Sequence, residues 1–267
     1  MSLLIAGAGY LGQHLVSLAS ANFSPVSALT LSGESNTLAC DLGDPDSVKA
    51  LAEKISAPMA IIHCASSNRG GPEAYRNVFV EGSKNLITAF PSARLLLTSS
   101  TSVYHQTDGS EVTETSPTSP DRETSRLLLE AETIVLNSGG IVARLGGLYG
   151  PSRSIHFRKV QEDTAVLEGD GSRWLNQIHV EDAARACLHL LEISASGCFN
   201  VTDNQPLTQK EVYQALTTHF NKPMPPSGPK ATNRKRAWTD KKVLNTKLQA
   251  AGWQPNYPSF TEAIPYL

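Results

Sequence analysis

Short apolar runs and longer amphipathic stretches alternate along the first half of the chain. "SLLIAGA" is an apolar run of strand length. Behind it, "YLGQHLVSLASA" repeats apolar residues every three or four positions, as a helix does. "VSALTLS" and "TLACDL" read as strands. "DPDSVKALAEKI" reads as a helix, with Asp44 as its N-cap and Pro45 in its first turn. The alternation continues through "MAIIHCAS" (strand), "EAYRNVFVEGSKNLITAF" (helix), "ARLLLTSS" (strand), "ETSRLLLEAETIVLNS" (helix) and "GIVARLGGLYG" (strand). Strands separated by helices of roughly 10–18 residues imply right-handed βαβ units and an α/β fold on a doubly wound parallel sheet.

Past Gly150 the pattern loosens. Residues 151–176 mix proline, glycine and charge and predict no regular element. "VEDAARACLHLLEIS" and "TQKEVYQALTTHF" are helical, "GCFNVTD" is a strand, and "KPMPPSGPKATNRKRAW" is a proline- and cation-rich loop before a short helix over Thr239–Ala251. The expected division is a sheet domain of residues 1–146 plus 178–203. A small C-terminal substrate lobe takes 147–177 plus 204–267, at the C-terminal edge of the sheet where open α/β sheets bind ligands.

Charge and composition narrow the function. Lys and Arg number 23 against 25 Asp and Glu, a formal charge of −2, so no broad attraction to nucleic acid or an anionic membrane is expected. The cysteines Cys40, Cys64, Cys187 and Cys198 form no CxxC pair and read as reduced, and their spacing with histidine suggests no metal site. "MSLLIAGAG" lacks a basic leader and is broken by glycine, and no apolar stretch approaches the roughly 18–20 residues of a membrane span. A cytoplasmic protein acting on a small molecule is the expectation; its oligomeric state is not legible.

The sharpest motif is Gly7-Ala8-Gly9-Tyr10-Leu11-Gly12, a GxGxxG that follows an apolar strand and opens a helix. Gly7 permits the tight turn. Gly9 lets backbone N–H groups of the Tyr10–Leu11 turn approach a pyrophosphate, and Gly12 allows close helix–sheet packing. The helix N-terminus adds partial positive charge. A Rossmann-type dinucleotide site follows. The second strand ends Leu31-Ser32-Gly33-Glu34, with neither an acid at its tip nor an arginine. The small Ser32-Gly33 corner leaves room for a 2′-phosphate, which tilts the expectation to NADP(H) over NAD(H).

Further stretches resemble, in order, the extended short-chain dehydrogenase/reductase family, the NAD-dependent epimerase/dehydratase relatives. "ACDLGD" resembles the segment whose aspartate, here Asp41 beside Leu42, reaches the adenine. "IIHCAS" resembles the fourth strand, whose exit (Cys64, Ala65, Ser66, then Ser67) runs along the cofactor. "TSSTSVY" resembles the fifth-strand motif with the catalytic serine at Ser100, four residues before Tyr104. "ARLGGLYGP", "IHVEDAARA" and "FNVTDNQPLT" resemble the segments leading to the substrate lobe. The resemblance implies an NAD(P)-dependent oxidoreductase, epimerase or dehydratase acting on a nucleotide-sugar or small carbonyl compound.

The family's tyrosine and, four residues on, its lysine are missing. No tyrosine lies between Tyr104 and Tyr149, and no lysine between Lys84 and Lys159. Thr124 and Leu128, or Arg122 and Arg126, hold the places, and Phe79 stands where a helix asparagine is common. Ser100 and Tyr104 remain the candidate catalytic residues. His105 is a further titratable candidate, and Arg126 is either a phosphate clamp or the partner of Glu130. His63 is expected as a core histidine, Arg144 and Asp182 as structural anchors, and Arg234-Lys235-Arg236 as a solvated loop or a phosphate contact. The alternative to an enzyme is a non-catalytic NAD(P)-binding sensor or scaffold.

Overall fold

The computed structural model describes residues 1–34, 36–68, 70–230 and 238–267, so the Arg234–Arg236 cluster lies outside the described residues. The chain begins with β1 (Leu3–Ala6), α1 (Tyr10–Ala19), β2 (Val26–Thr30), β3 (Leu38–Ala39), α2 (Pro45–Lys54) and β4 (Ala60–His63). Next come α3 (Pro72–Tyr75), a π-helical turn (Arg76–Glu81), α4 (Gly82–Ala89), β5 (Arg94–Ser100), β6 (Glu111–Val112), α5 (Glu123–Asn137), β7 (Ile141–Leu145) and β8 (Gly147–Tyr149). The remainder holds α6 (Ile155–Gln161), β9 (Leu167–Glu168), β10 (Trp174–Leu175), β11 (Gln177–His179), α7 (Val180–Glu192) and β12 (Gly197–Val201). It ends with β13 (Leu207–Thr208), α8 (Gln209–Phe220), β14 (Ser227–Gly228), β15 (Lys242–Val243), α9 (Thr246–Ala250) and α10 (Phe260–Ala263).

Seven strands form the main sheet in the order β3-β2-β1-β4-β5-β7-β12. β1 runs parallel to both β2 and β4, which places the reversal of strand order between β1 and β4. In such a sheet a crevice opens at the carboxyl ends of the two strands flanking the reversal. The central strands β1, β4 and β5 carry near-continuous apolar runs because both faces are covered, and Leu4, Ile5, Ile62 and Leu96 are fully buried. Asp44 caps α2 by accepting from Asp46 N at 3.1 Å, as the sequence implies.

The described residues divide into two compact units. One comprises Met1–Val103, Pro120–Arg144 and Ala184–Phe199; the other comprises Tyr104–Ser119, Leu145–Ala183 and Asn200–Leu267. The segments 104–119, 145–146, 178–183 and 200–203 group with the second unit, unlike the expected division. Their bonds explain why. β6 pairs in parallel with β15, Tyr104 Oη donates to Asn200 Oδ1 (2.8 Å), and Asp182 accepts from Asn256 N and Tyr257 N, both at 2.8 Å. The second unit has its own apolar core, centred on Tyr149, Leu167, Val212, Leu216 and Phe260.

Two stretches fold otherwise than their patterns imply. Residues 151–176 contain α6, started by Ser154 Oγ accepting from Phe157 N (3.3 Å), and the strands β9 and β10. The helix expected over Thr239–Ala251 shrinks to α9, because Lys242–Val243 is taken up in pairing with β6.

One buried charge pair inside the first unit ties a helix to the sheet. Glu132 on α5 accepts from Arg144 Nε and Nη2, the latter at 2.7 Å, and from Ser99 Oγ at 2.5 Å. Both partners of the ion pair are over nine-tenths buried, so Arg144 is a structural anchor, as expected. Removing one partner strands the other charge. Glu132→Ala is expected to lower the unfolding free energy by roughly 3–5 kcal/mol in urea titrations, whereas Arg76→Ala, from an exposed pair with Glu130, costs under about 1 kcal/mol.

His63 closes β4. It is fully buried, and its Nε2 lies 2.9 Å from the Val78 carbonyl of the π-helical turn. Burial pushes its pKa down to about 4. The native ring stays neutral to about that pH, while the unfolded ring gains a proton near pH 6.5. Stability is therefore complete above pH 6.5 and falls between 6.5 and 4, by on the order of 3 kcal/mol in all. Denaturant midpoints measured across that window should show the slope, and His63→Leu should lack it.

Candidate functional site

The site is built on the reversal between β1 and β4. Gly7 leaves β1 with φ +115°, and a Cβ there would lie 2.4 Å from the backbone N and Cα of Ala65. A Cβ at Gly12 would lie 2.0 Å from the Gly7 carbonyl oxygen. Both glycines are thus dictated by the protein itself. Gly9 is different: a Cβ there meets nothing within 4 Å. It occupies the N-cap of α1 in extended conformation (φ −77°), and the first turn carries no side-chain cap and no acidic residue. First-turn N–H groups have no intrahelical acceptor, and the helix dipole favours an anion there. Open space at Gly9 before an uncapped ten-residue helix fits a dinucleotide pyrophosphate.

The flanking candidates fall around this loop. Cys64 Sγ donates to the Gly7 carbonyl (3.1 Å), and burial pushes its thiol pKa far up, so it is a packing group. Ala65 is half-buried and Ser66 exposed, and Ser66 Oγ accepts from Asn68 N at 3.3 Å. Tyr10 is half-buried, while the Leu11 side chain is core, which leaves its backbone as the part available to a ligand. Asp41 is exposed, with Oδ1 accepting from Gly43 N (2.9 Å). Leu42 is buried, its carbonyl held by Asn85 Nδ2 at 2.8 Å.

Beside the loop lies a cavity of about 470 Å³ whose lining includes Ala8, Gln13, Thr30, Ser32, Glu34 and Thr37. Thr30 Oγ1 shapes its rim by accepting from Gly33 N (2.9 Å), where φ is +75°, and by bonding Thr37 Oγ1 at 2.6 Å. Among the described lining residues Glu34 is the single charged one. Gln13 and Thr37 were not singled out from the sequence; their spacing carries no signal, and only the fold brings them to Ser32.

The catalytic candidates separate. Ser100 ends β5, half-buried, and its Oγ accepts from Ser102 N (3.2 Å), which leaves the hydroxyl proton to donate. Tyr104 departs from expectation: it is fully buried, and its phenol donates to Asn200 Oδ1, so its proton is committed inside the second unit. His105 is half-buried. Arg126 clamps the chain ahead of α5 through the carbonyls of Asp121 (2.6 Å) and Pro120 (3.4 Å). Glu130 pairs with Arg76 at 3.3 Å instead of Arg126, because the π-helical turn brings Arg76 to α5. Phe79 is buried and stacks on His63, ring centroids 6.1 Å apart.

Known proteins share this design. The "3-diazoavenalumate denitrifying reductase" of a Streptomyces species is 28% identical over 99% of this chain and 99% of its own length. A solved structure from Methylobacillus flagellatus, described as an NAD-dependent epimerase/dehydratase, superposes with a TM-score of 0.82 at 26% identity, covering 99% of this chain and 96% of that one. The human epimerase family protein SDR39U1, solved with NADPH, also reaches 0.82, covering 99% and 98%; at 19% identity that likeness shows the fold alone. The sequence profile of the NAD dependent epimerase/dehydratase family matches residues 3–201. That match begins with the first residue of β1 and ends with the last of β12, taking in the whole sheet, and the chain therefore belongs to this family.

Proposed function

We propose that the protein is an oxidoreductase of the epimerase/dehydratase type that binds a nicotinamide dinucleotide across the β1–β4 reversal. Its substrate on this reading is a small carbonyl or nucleotide-linked compound. The observation that carries the reading is the contrast between Gly7 and Gly12, which packing requires, and Gly9, which packing does not. A glycine with open space at a helix N-terminus is explained by a ligand.

When bound, the nicotinamide supplies or accepts the hydride. The chain's part is to hold the diphosphate on the first turn of α1, the adenosine ribose in the cavity beside Ser32, and the adenine near Asp41. Glu34, as the charged group of that cavity, repels a 2′-phosphate and accepts from a ribose hydroxyl. This favours NAD(H), against the preference for NADP(H) inferred from the small Ser32-Gly33 corner. Ser100 donates its hydroxyl proton to the substrate oxygen. A phenol with a neighbouring ammonium is absent from α5, where Leu128 is buried and Arg126 is engaged with backbone carbonyls. Proton transfer on this reading passes through Ser100 and solvent or a group of the substrate.

A second reading, a non-catalytic cofactor sensor or scaffold, draws on that same absence. The two separate by turnover. Ser100→Ala is expected to lower kcat by roughly 10²-fold or more with cofactor affinity unchanged. A chain that oxidises or reduces nothing in a panel of carbonyl and sugar-nucleotide compounds is the outcome the sensor reading requires.

Gly9→Val tests the cofactor site itself. With no atom near the added Cβ, the variant should keep its Tm within about 2 °C while losing the thermal shift given by NAD(H). Undiminished nucleotide affinity in a folded variant would overturn both readings. A larger shift with NADP(H) than with NAD(H) in the wild-type chain would reverse the role given to Glu34.

A further inference from the structure

Two threonines line the cavity beside the glycine loop: Thr30 at the end of β2 and Thr37 just ahead of β3. A threonine hydroxyl has one proton and donates it once, so the destination of each proton decides what the cavity presents to a ligand. Thr37 Oγ1 lies 2.5 Å from the Glu34 carbonyl oxygen, which can only accept. The Thr37 proton is committed there. Thr37 Oγ1 also lies 2.6 Å from Thr30 Oγ1, and with its own proton engaged it accepts from Thr30. Thr30 Oγ1 in turn accepts from Gly33 N at 2.9 Å. The donations therefore run in one direction, from Gly33 N to Thr30, to Thr37, to the carbonyl of Glu34.

This relay has two effects. The first is on position. Glu34 is an exposed residue on a loop, yet its backbone is tied on both sides. Gly33 N is held by Thr30, and the Glu34 carbonyl accepts from Thr37 N (3.1 Å) as well as from Thr37 Oγ1. Gly33 also packs closely on β3, where a Cβ would lie 2.9 Å from that of Ala39, and β3 pairs with β2 through Thr30 and Ala39. The second effect is on chemistry. Both hydroxyl protons point along the relay, so neither threonine has one left for the cavity. A phosphate group brings up to two negative charges and needs donors for its oxygens, whereas a ribose hydroxyl has a proton to give to a carboxylate.

We propose that Thr30 and Thr37 are specificity-determining residues for the cofactor. They hold the Glu34 carboxylate in the cavity and withdraw their own donors from a 2′-phosphate, so that an unphosphorylated ribose is selected. The inference rests on the cofactor reading given above and names the groups that enforce its preference.

The test is calorimetric titration of the whole chain with NADH and with NADPH, read as the ratio of the two dissociation constants. The wild-type chain should bind NADH more tightly. Thr37→Val keeps the side-chain shape but can neither donate nor accept; it frees the Thr30 proton and loosens Glu34. Its preference for NADH should fall about fivefold or more, the equivalent of one hydrogen bond. Thr37→Ser, which keeps the hydroxyl, should retain the wild-type ratio, and Thr30→Val, which breaks the relay one step earlier, should shift it as Thr37→Val does. A purely structural role would weaken both cofactors alike, so an unchanged ratio in the folded valine variants overturns the relay. Loss of folding in both valine variants makes these threonines structural and overturns it too. A wild-type preference for NADPH removes the relay while leaving the dinucleotide site standing, and binding of neither cofactor by the wild-type chain removes the cofactor reading itself.

Discussion

The close approach of Gly7 to the exit of β4 governs the architecture of the cofactor face. β1 and β4 pair in parallel with Ala6 opposite His63, so both chains leave the sheet side by side. The first can turn into α1 only by passing within contact of Ala65, at a φ that side-chain-bearing residues rarely adopt. Gly12 then rests against the Gly7 carbonyl, which fixes the helix over the strand. With those two contacts set, the N-terminus of α1 is aimed and Gly9 is left facing open space. Helix direction and anion cradle are one geometrical outcome.

Several side chains that look chemically active are struts. The His63 ring is a neutral spacer between the strand and the π-helical turn. Glu132 joins α5 to β5 and β7 through Ser99 and Arg144. Tyr104 holds Asn200, whose own backbone N donates to Glu114 Oε1 at 2.7 Å. Buried polar groups are expensive unless bonded, and these bonds discharge that cost.

The sheet and its glycine loop were legible because both are local signals: apolar runs of strand length, a GxGxxG at their end, and Asp44-Pro45 opening a helix. Asp182 and Arg144 were legible as anchors through resemblance. What escaped depends on pairings distant in sequence. Lys242–Val243 has no strand-like alternation, and only β6, over a hundred residues earlier, makes it extended. Arg126 and Glu130 have helical spacing for an ion pair, yet Arg76 takes the acid because the π-helical turn offers it across the helix interface. Lys241 falls in the helix expected over Thr239–Ala251, and its burial comes from the fold and not from the residue.

The π-helical turn carries a consequence for how this chain tolerates change in length. Within Arg76–Glu81 the backbone bonds skip one residue further than in an α-helix, with Gly82 N reaching back to Asn77 O. The turn thus holds one residue beyond α-helical need. Loss of a single residue there would let α3 and α4 run on with an even ladder and nearly unchanged faces, whereas the same loss inside α4 would swing every side chain beyond it by roughly 100° about the axis. The chain can therefore give up a residue at this turn more readily than in the regular turns beside it.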